Sequence, residues 1–302
     1  MVFNPGAGRR TADETIARIE NACARAGRVL DLQVLGPDED LAACACAAVA
    51  RAAADDGVIV AAGGDGTLNA VARATLDSEC AFGILPRGSF NYFGRAHGIP
   101  ADLDAALEVL LTASPRPVPV GLVGSRLFLV NASIGLHPQW LEDREALAAT
   151  VGRGRWIATG AAFATLLRGV KNLPLRVERG EEVIELATPT VFVTHNAVQR
   201  AHLGFETQGV DGRLAVLVLK PVGRWQLLSL ALRSALGRLA AAERVLDFDC
   251  QRLTVKRVSR LGHSRVKLAL DGEVLHARLP LEFRVAPRPL WLVHAPEAAP
   301  LP

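Results

Sequence analysis

Apolar positions along the chain change texture near residue 115. Up to about Ser114, short apolar runs alternate with stretches of helical periodicity, and each run ends in glycine, which is a βα pattern. From about Asp102 to Thr112, Leu103, Ala106, Leu107, Leu110 and Leu111 recur at i, i+3, i+4, i+7 and i+8, predicting a helix capped by Asp102. A second helix is expected over Ala12–Ala26, stopped by Gly27, and an Ala-rich one over Asp40–Ala54, followed by the turn Asp55-Asp56-Gly57. After Pro115 and Pro117 the runs shorten to strand length: Leu127–Asn131, Leu175–Glu178, Thr190–Thr194, Leu214–Lys220, Arg252–Val258, Val266–Leu270 and Leu281–Val285. Leu214–Leu219 is apolar on both faces, as a strand covered on both sides would be. Two helical interruptions are expected, at Trp156–Val170 and Trp225–Arg244.

This order of elements predicts an N-terminal α/β domain with an open parallel sheet and a C-terminal antiparallel β domain. At 302 residues the chain has room for two cores. Its 34 basic and 31 acidic residues, net +3, give no argument for a nucleic-acid partner. Five scattered cysteines form neither a disulfide framework nor a zinc spacing. No apolar run approaches the ~20 residues of a spanning helix. The cysteine pattern points to a reducing, cytoplasmic setting, and the opening Met1-Val2-Phe3-Asn4-Pro5 has no basic region, apolar core or cleavage site, so no signal peptide is expected.

Candidate chemistry concentrates at three glycine bends. Val58-Ile59-Val60-Ala61-Ala62 runs into Gly63-Gly64-Asp65-Gly66-Thr67-Leu68-Asn69 and then a helix. Glycines let the backbone approach a ligand, Thr67 is placed to cap the helix, and a helix start attracts phosphate. A carboxylate there, Asp65, makes sense when Mg²⁺ bridges it to phosphate oxygens. Asn4-Pro5-Gly6-Ala7-Gly8 follows the first strand and is a second candidate anion nest. It is neither a Walker loop nor a dinucleotide fingerprint, since Thr11 stands where the third glycine belongs. The third bend is Pro86-Arg87-Gly88-Ser89-Phe90-Asn91, where Ser89 can cap a helix or touch a nucleotide and Arg87 and Arg95 can neutralise phosphate. Loops at the carboxyl ends of strands in one open sheet converge on one crevice. Two further Asp-Gly turns, Gln208–Arg213 and Leu270-Asp271-Gly272-Glu273, read on pattern alone as hairpins.

Together these residues resemble the diacylglycerol kinase catalytic family, which includes sphingosine, ceramide and bacterial lipid kinases and is distantly similar to the NAD kinases. The Gly63–Asn69 run matches the family's Gly-Gly-Asp-Gly-Thr signature, Asn4–Gly8 its first nucleotide loop, and Leu85–Arg95 its third. The resemblance implies an NAD-kinase-like domain over 1–116 with 287–302 returning to it, and a β-sandwich over 117–286. It implies ATP held by Asn4, Pro5, Gly6, Ala7, Gly8, Gly63–Asn69, Ser89 and Arg95, and a structural Mg²⁺ at Gln208, Asp211 and Arg213. It also implies that Glu273 is the general base, with Asp271 and Asp65 as catalytic companions. The implied activity is transfer of the γ-phosphate of ATP to a hydroxyl of diacylglycerol or a related lipid presented at a membrane, with peripheral contact at its inner face. Two rivals remain: an NAD-kinase-like enzyme of a soluble substrate, and a non-catalytic nucleotide- or lipid-binding relative. The chain departs from the family pattern at Tyr92 and Pro119, where carboxylates are usual. The sequence leaves the oligomeric state and the particular lipid open.

Overall fold

The computed structural model describes residues 1–7, 11–88, 91–136, 138, 172–195, 212–221, 223, 245–258 and 265–295. It divides into two compact units, residues 1–120 with 286–302, and residues 121–285.

The first unit alternates strands β1 (Val2–Phe3), β2 (Gln33–Val34), β3 (Val58–Gly63) and β4 (Ala81–Pro86) with helices α1 (Ala12–Arg25), α2 (Leu41–Ala54) and α3 (Asp65–Thr75). After β4 come α4 (Tyr92–Ala96), α5 (Leu103–Thr112), β5 (Pro115–Val118) and, from the far end of the chain, β18 (Leu290–Val293). The helices start where the sequence supplies an acceptor. Asp40 accepts from the Ala42 and Ala43 amides, Asp102 from those of Asp104 and Ala105, and Thr11 from that of Glu14. Gly27, at φ 64°, carries the chain out of α1 through left-handed backbone.

The sheet runs β2-β1-β3-β4-β18-β5. The five strands from β2 to β18 are parallel neighbours, but β5 pairs antiparallel with β18, so the sheet is mixed where a wholly parallel one was expected. β5 carries Pro115 and Pro117, which lack a backbone N–H and belong on an edge strand. Phe3, Ala61, Ala62, Phe82 and Leu292 fill the sheet's interior at 0% exposure.

The second unit is wholly antiparallel. One sheet orders β10-β9-β14-β17-β6-β7, built from Glu182–Thr188, Leu173–Arg179, Arg252–Arg257, Leu281–Val285, Gly121–Val123 and Arg126–Phe128. The other orders β13-β12-β11-β8-β15-β16, built from Val245–Cys250, Leu214–Leu219, Thr190–Thr194, Asn131–Gly135, Arg265–Leu270 and Glu273–Arg278. One buried cluster draws on both sheets, with Val177, Val255 and Phe283 from the first and Ile134, Val191, Val216 and Leu268 from the second. That shared core makes a sandwich. β12 is buried at all six positions and lies between β11 and β13.

Several strands escaped the sequence pattern: β5, β6, β10, β13 and β16. The run expected as one strand over Leu127–Asn131 is instead the end of β7 and the start of β8, broken where three successive amides turn to a side chain. The expected helices at Trp156–Val170 and Trp225–Arg244 lie outside the described residues.

Candidate functional site

The three glycine bends are tied to one another. The Asn4 N–H donates to the Ala62 carbonyl at 2.9 Å, so the first bend leaves β1 beside the second. The Asn4 side chain then spans to α3, with Nδ2 donating to Thr67 Oγ1 at 2.9 Å, while Oδ1 accepts from the Gly6 amide at 3.0 Å. The third bend joins through Arg87, whose backbone N–H donates to the Gly63 carbonyl and whose Nη1 donates to the Asn4 carbonyl, both at 2.9 Å. Its guanidinium also lies over the Phe3 ring, 4.4 Å from the centroid. Arg87, expected to meet phosphate, is thus engaged as a tie between bends.

Glycine is required at two of these points by close approach. A Cβ at Gly63 would stand 2.7 Å from both Cβ and Oγ1 of Thr67, and one at Gly88 would stand 3.2 Å from the Gly64 Cα. The second and third bends therefore touch backbone to backbone. α3 starts from Gly64, and no side chain caps it. Thr67, expected as that cap, instead sits buried inside the first turn, where its hydroxyl accepts from Asn4. The first amides of α3 lack carbonyl partners within the helix, and that turn also carries Asp65. Burial pushes the Asp65 carboxyl above its ordinary value. A half-buried carboxylate at the start of a helix fits a hard divalent cation.

The remaining sequence candidates fall around this core. Gly66 is exposed, Leu68 is 1% exposed, Asn69 is half-buried on α3, and Pro5, Gly6 and Ala7 form the outer part of the first bend. Arg95 is exposed on α4 with its guanidinium 6.0 Å from the Tyr92 ring centroid. Gly8, Ser89, Gln208 and Asp211 lie outside the described residues, and Arg213 is exposed at the start of β12. Among the described residues no cluster of three or more His, Cys, Asp or Glu is arranged to hold a metal. Asn91 opens α4 in left-handed backbone at φ 46°, a placement that the sequence pattern did not single out.

In the second unit, the β15–β16 hairpin turns through Asp271 and Gly272, at φ 47° and 95°. The Asp271 carboxylate is fully employed: Oδ2 accepts from the Leu129 amide at 2.7 Å, and Oδ1 from those of Val130 and Asn131 at 2.8 and 3.0 Å. Asp271 thereby fixes the β7–β8 bend. The same bend is held from β11, where Thr194 Oγ1 donates to the Val130 carbonyl at 2.7 Å and His195 Nε2 lies 3.3 Å from the Phe128 carbonyl oxygen. Burial pulls His195 down to about 4, so its ring is neutral at physiological pH. Glu273, two residues after Asp271, opens β16 and is exposed.

Glycine bends knitted together at the carboxyl ends of parallel strands are where open α/β sheets hold ligands. Residues 1–123 match the family model of the diacylglycerol kinase catalytic domain. The chain is 26% identical over 301 residues to the diacylglycerol kinase of Bacillus subtilis, covering 94% of this chain and 91% of that one. It is 35% identical over 156 residues to a Pseudomonas aeruginosa protein named "Probable lipid kinase YegS-like", covering 51% of this chain and 50% of that one. A Bacillus anthracis diacylglycerol kinase crystal structure superposes with a TM-score of 0.67 at 17% identity, over 98% of this chain and 96% of the other, a likeness of fold. No helix among the described residues is long and apolar enough to cross a membrane.

Proposed function

We propose that the protein is an ATP-dependent lipid kinase that phosphorylates a hydroxyl of diacylglycerol or a chemically similar lipid. The observation that carries the reading is the set of ties from Asn4 to Thr67, Arg87 to Asn4 and Arg87 to Gly63, which holds three glycine bends around one helix start. Such a start favours the phosphates of a nucleotide. Asp65 would hold the Mg²⁺, whose charge, when bound, offsets that of the phosphates and the carboxylate. The relatives' names support lipid as the acceptor class.

In the proposed reaction the acceptor oxygen forms a bond to the γ-phosphorus, the bond from that phosphorus to the β–γ bridging oxygen breaks, and ADP leaves with the electron pair. Glu273 takes the hydroxyl proton as the oxygen attacks. Asp271 keeps the hairpin in register so that Glu273 stays where β16 begins. The structural Mg²⁺ proposed at Gln208, Asp211 and Arg213 would serve the second unit and takes no part in the transfer.

The test supplies labelled ATP and Mg²⁺ with a mixed lipid extract, diacylglycerol vesicles and, separately, NAD. Label in a lipid product is expected. Label in NAD alone would favour an NAD-kinase-like enzyme, and nucleotide binding with no transfer would favour a binding protein. Glu273→Gln should lower turnover by about 100-fold or more while nucleotide affinity stays unchanged.

A further inference from the structure

Among the described residues the first bend closes on Asn4. The Gly6 amide donates to Asn4 Oδ1 at 3.0 Å, the Ala7 amide donates to the Asn4 carbonyl at 3.4 Å, and Pro5 has no N–H to offer. The described amides of this bend are therefore turned inward, and the Asn4 carbonyl is the point on which it pivots. That same carbonyl accepts from Arg87 Nη1 at 2.9 Å, the shorter of its two bonds.

Arg87 reaches this carbonyl from the third bend, 83 positions along the chain. Its side chain is held in orientation by the ring of Phe3, which is wholly buried and lies 4.4 Å from the guanidinium, while its own N–H is fixed on the Gly63 carbonyl at 2.9 Å. A planar cation stacked on a ring and aimed at a carbonyl is not reproduced by a lysine ammonium on its flexible stem. Asn4 also bonds to Ala62 and Thr67, which belong to β3 and α3. Of these three links, the one from Arg87 reaches the third bend, so one side chain sets the spacing between the first bend and the third. A cradle whose walls are set before the ligand arrives spares the cost of ordering them on binding. That saving appears in affinity rather than in the chemical step.

We propose that Arg87 is a positioning residue for the nucleotide, an inference that rests on the nucleotide-site reading above. It acts through the Asn4 carbonyl, holding the first and third bends at the separation the nucleotide needs, and not as a charge placed on phosphate. It sets nucleotide affinity and leaves the transfer step nearly unchanged.

Calorimetry of the full chain with a non-hydrolysable ATP analogue and Mg²⁺, together with steady-state kinetics in ATP on diacylglycerol vesicles, tests this. Arg87→Met loses both the charge and the bond, whereas Arg87→Lys keeps the charge alone. Each should raise the analogue's dissociation constant, and KM for ATP with it, by about ten-fold or more. Turnover at saturating ATP should fall by no more than about two-fold. Hydrogen exchange supplies a readout that does not depend on turnover, since the amides of residues 2–7 should exchange faster in both ligand-free variants while those of α2 keep their rates. Unaltered affinity in Arg87→Met overturns the proposal, and so does unaltered affinity in Arg87→Lys, because charge would then suffice. A fall in kcat with KM unchanged overturns it too. Should Arg87→Met fail to fold, Arg87→Lys and Phe3→Leu, which removes the ring under the guanidinium, decide by the same loss or retention of affinity. Failure of the unaltered protein to bind the analogue at all overturns the nucleotide site as well, whereas equal binding by the unaltered protein and both Arg87 variants overturns the role of Arg87 alone.

Discussion

At the residue scale, the site divides into groups that hold the backbone and groups left uncompensated. Asp271 is of the first kind. Replacing it with Asn leaves one oxygen to serve three amides, and losing bonds to a charged acceptor should cost about 1.5–3 kcal/mol, measurable by urea unfolding. An unchanged unfolding midpoint would mean that these three bonds do not hold the bend. Asp65 is of the second kind. Burial raises its folded value above 3.8, so the native state binds more protons than the unfolded chain between the two values, and its contribution to stability falls as pH rises through that window. Asp65→Asn should therefore stabilise the ligand-free protein at pH 7, while its affinity for a metal-loaded nucleotide collapses. A variant both less stable and still able to bind would contradict that account. Residue identity made Asp65 and the glycines legible in the sequence, because their chemistry is tied to a contiguous motif. The bonds made by Thr67, Arg87 and Asp271 were not legible, for the opposite reason. Their partners Asn4, Gly63 and Leu129–Asn131 are distant in sequence, and only the folded chain brings them together.

At the element scale, legibility followed periodicity and length. α1, α2 and α5 were readable because an acceptor precedes each one and apolar positions repeat behind it. β5 and β6 were not, being four and three residues long with prolines or glycine at their starts. β10 was missed because it lies at the edge of its sheet with only Thr188 buried, so it lacks the apolar run that signals a strand. β18 shows what an element can do that its length does not advertise. Its four residues, 290–293, stand between β4 and β5, and Leu292 is wholly buried beside Phe82. Leu292→Ala should destabilise the first unit by about 2–4 kcal/mol through a cavity against β4, the strand that leads to the third bend. Nucleotide affinity should weaken with it, whereas an equally large but purely global loss, with native affinity below the transition, would mean that β4 holds the bend without β18.

At the scale of the molecule, one titrating group in each unit ties stability to pH in opposite senses. In the second unit, His195 falls from 6.5 to about 4, so below pH 6.5 the unfolded chain takes up a proton that the native ring refuses. Stability contributed by the neutral ring is complete above pH 6.5 and drains away as pH falls toward 4, by about 2 kcal/mol at pH 5. In the first unit the Asp65 contribution moves the other way, becoming less unfavourable as pH falls toward its raised value. Lowering the pH from 7 to 5 should thus pull apart transitions that lie closer together at neutrality, with the second unit unfolding first. Tryptophan placement makes this visible, because Trp291 is the one tryptophan in residues 1–120 and 286–302, while Trp140, Trp156 and Trp225 belong to residues 121–285. A variant with only Trp291 should keep or raise its midpoint in urea between pH 7 and 5, and the Trp291→Phe variant should lose part of its own. Adding His195→Gln to the latter should flatten that pH dependence. If Trp291 reports the same acid loss as the other three, the units unfold as one and the opposing contributions of His195 and Asp65 are averaged across the whole chain.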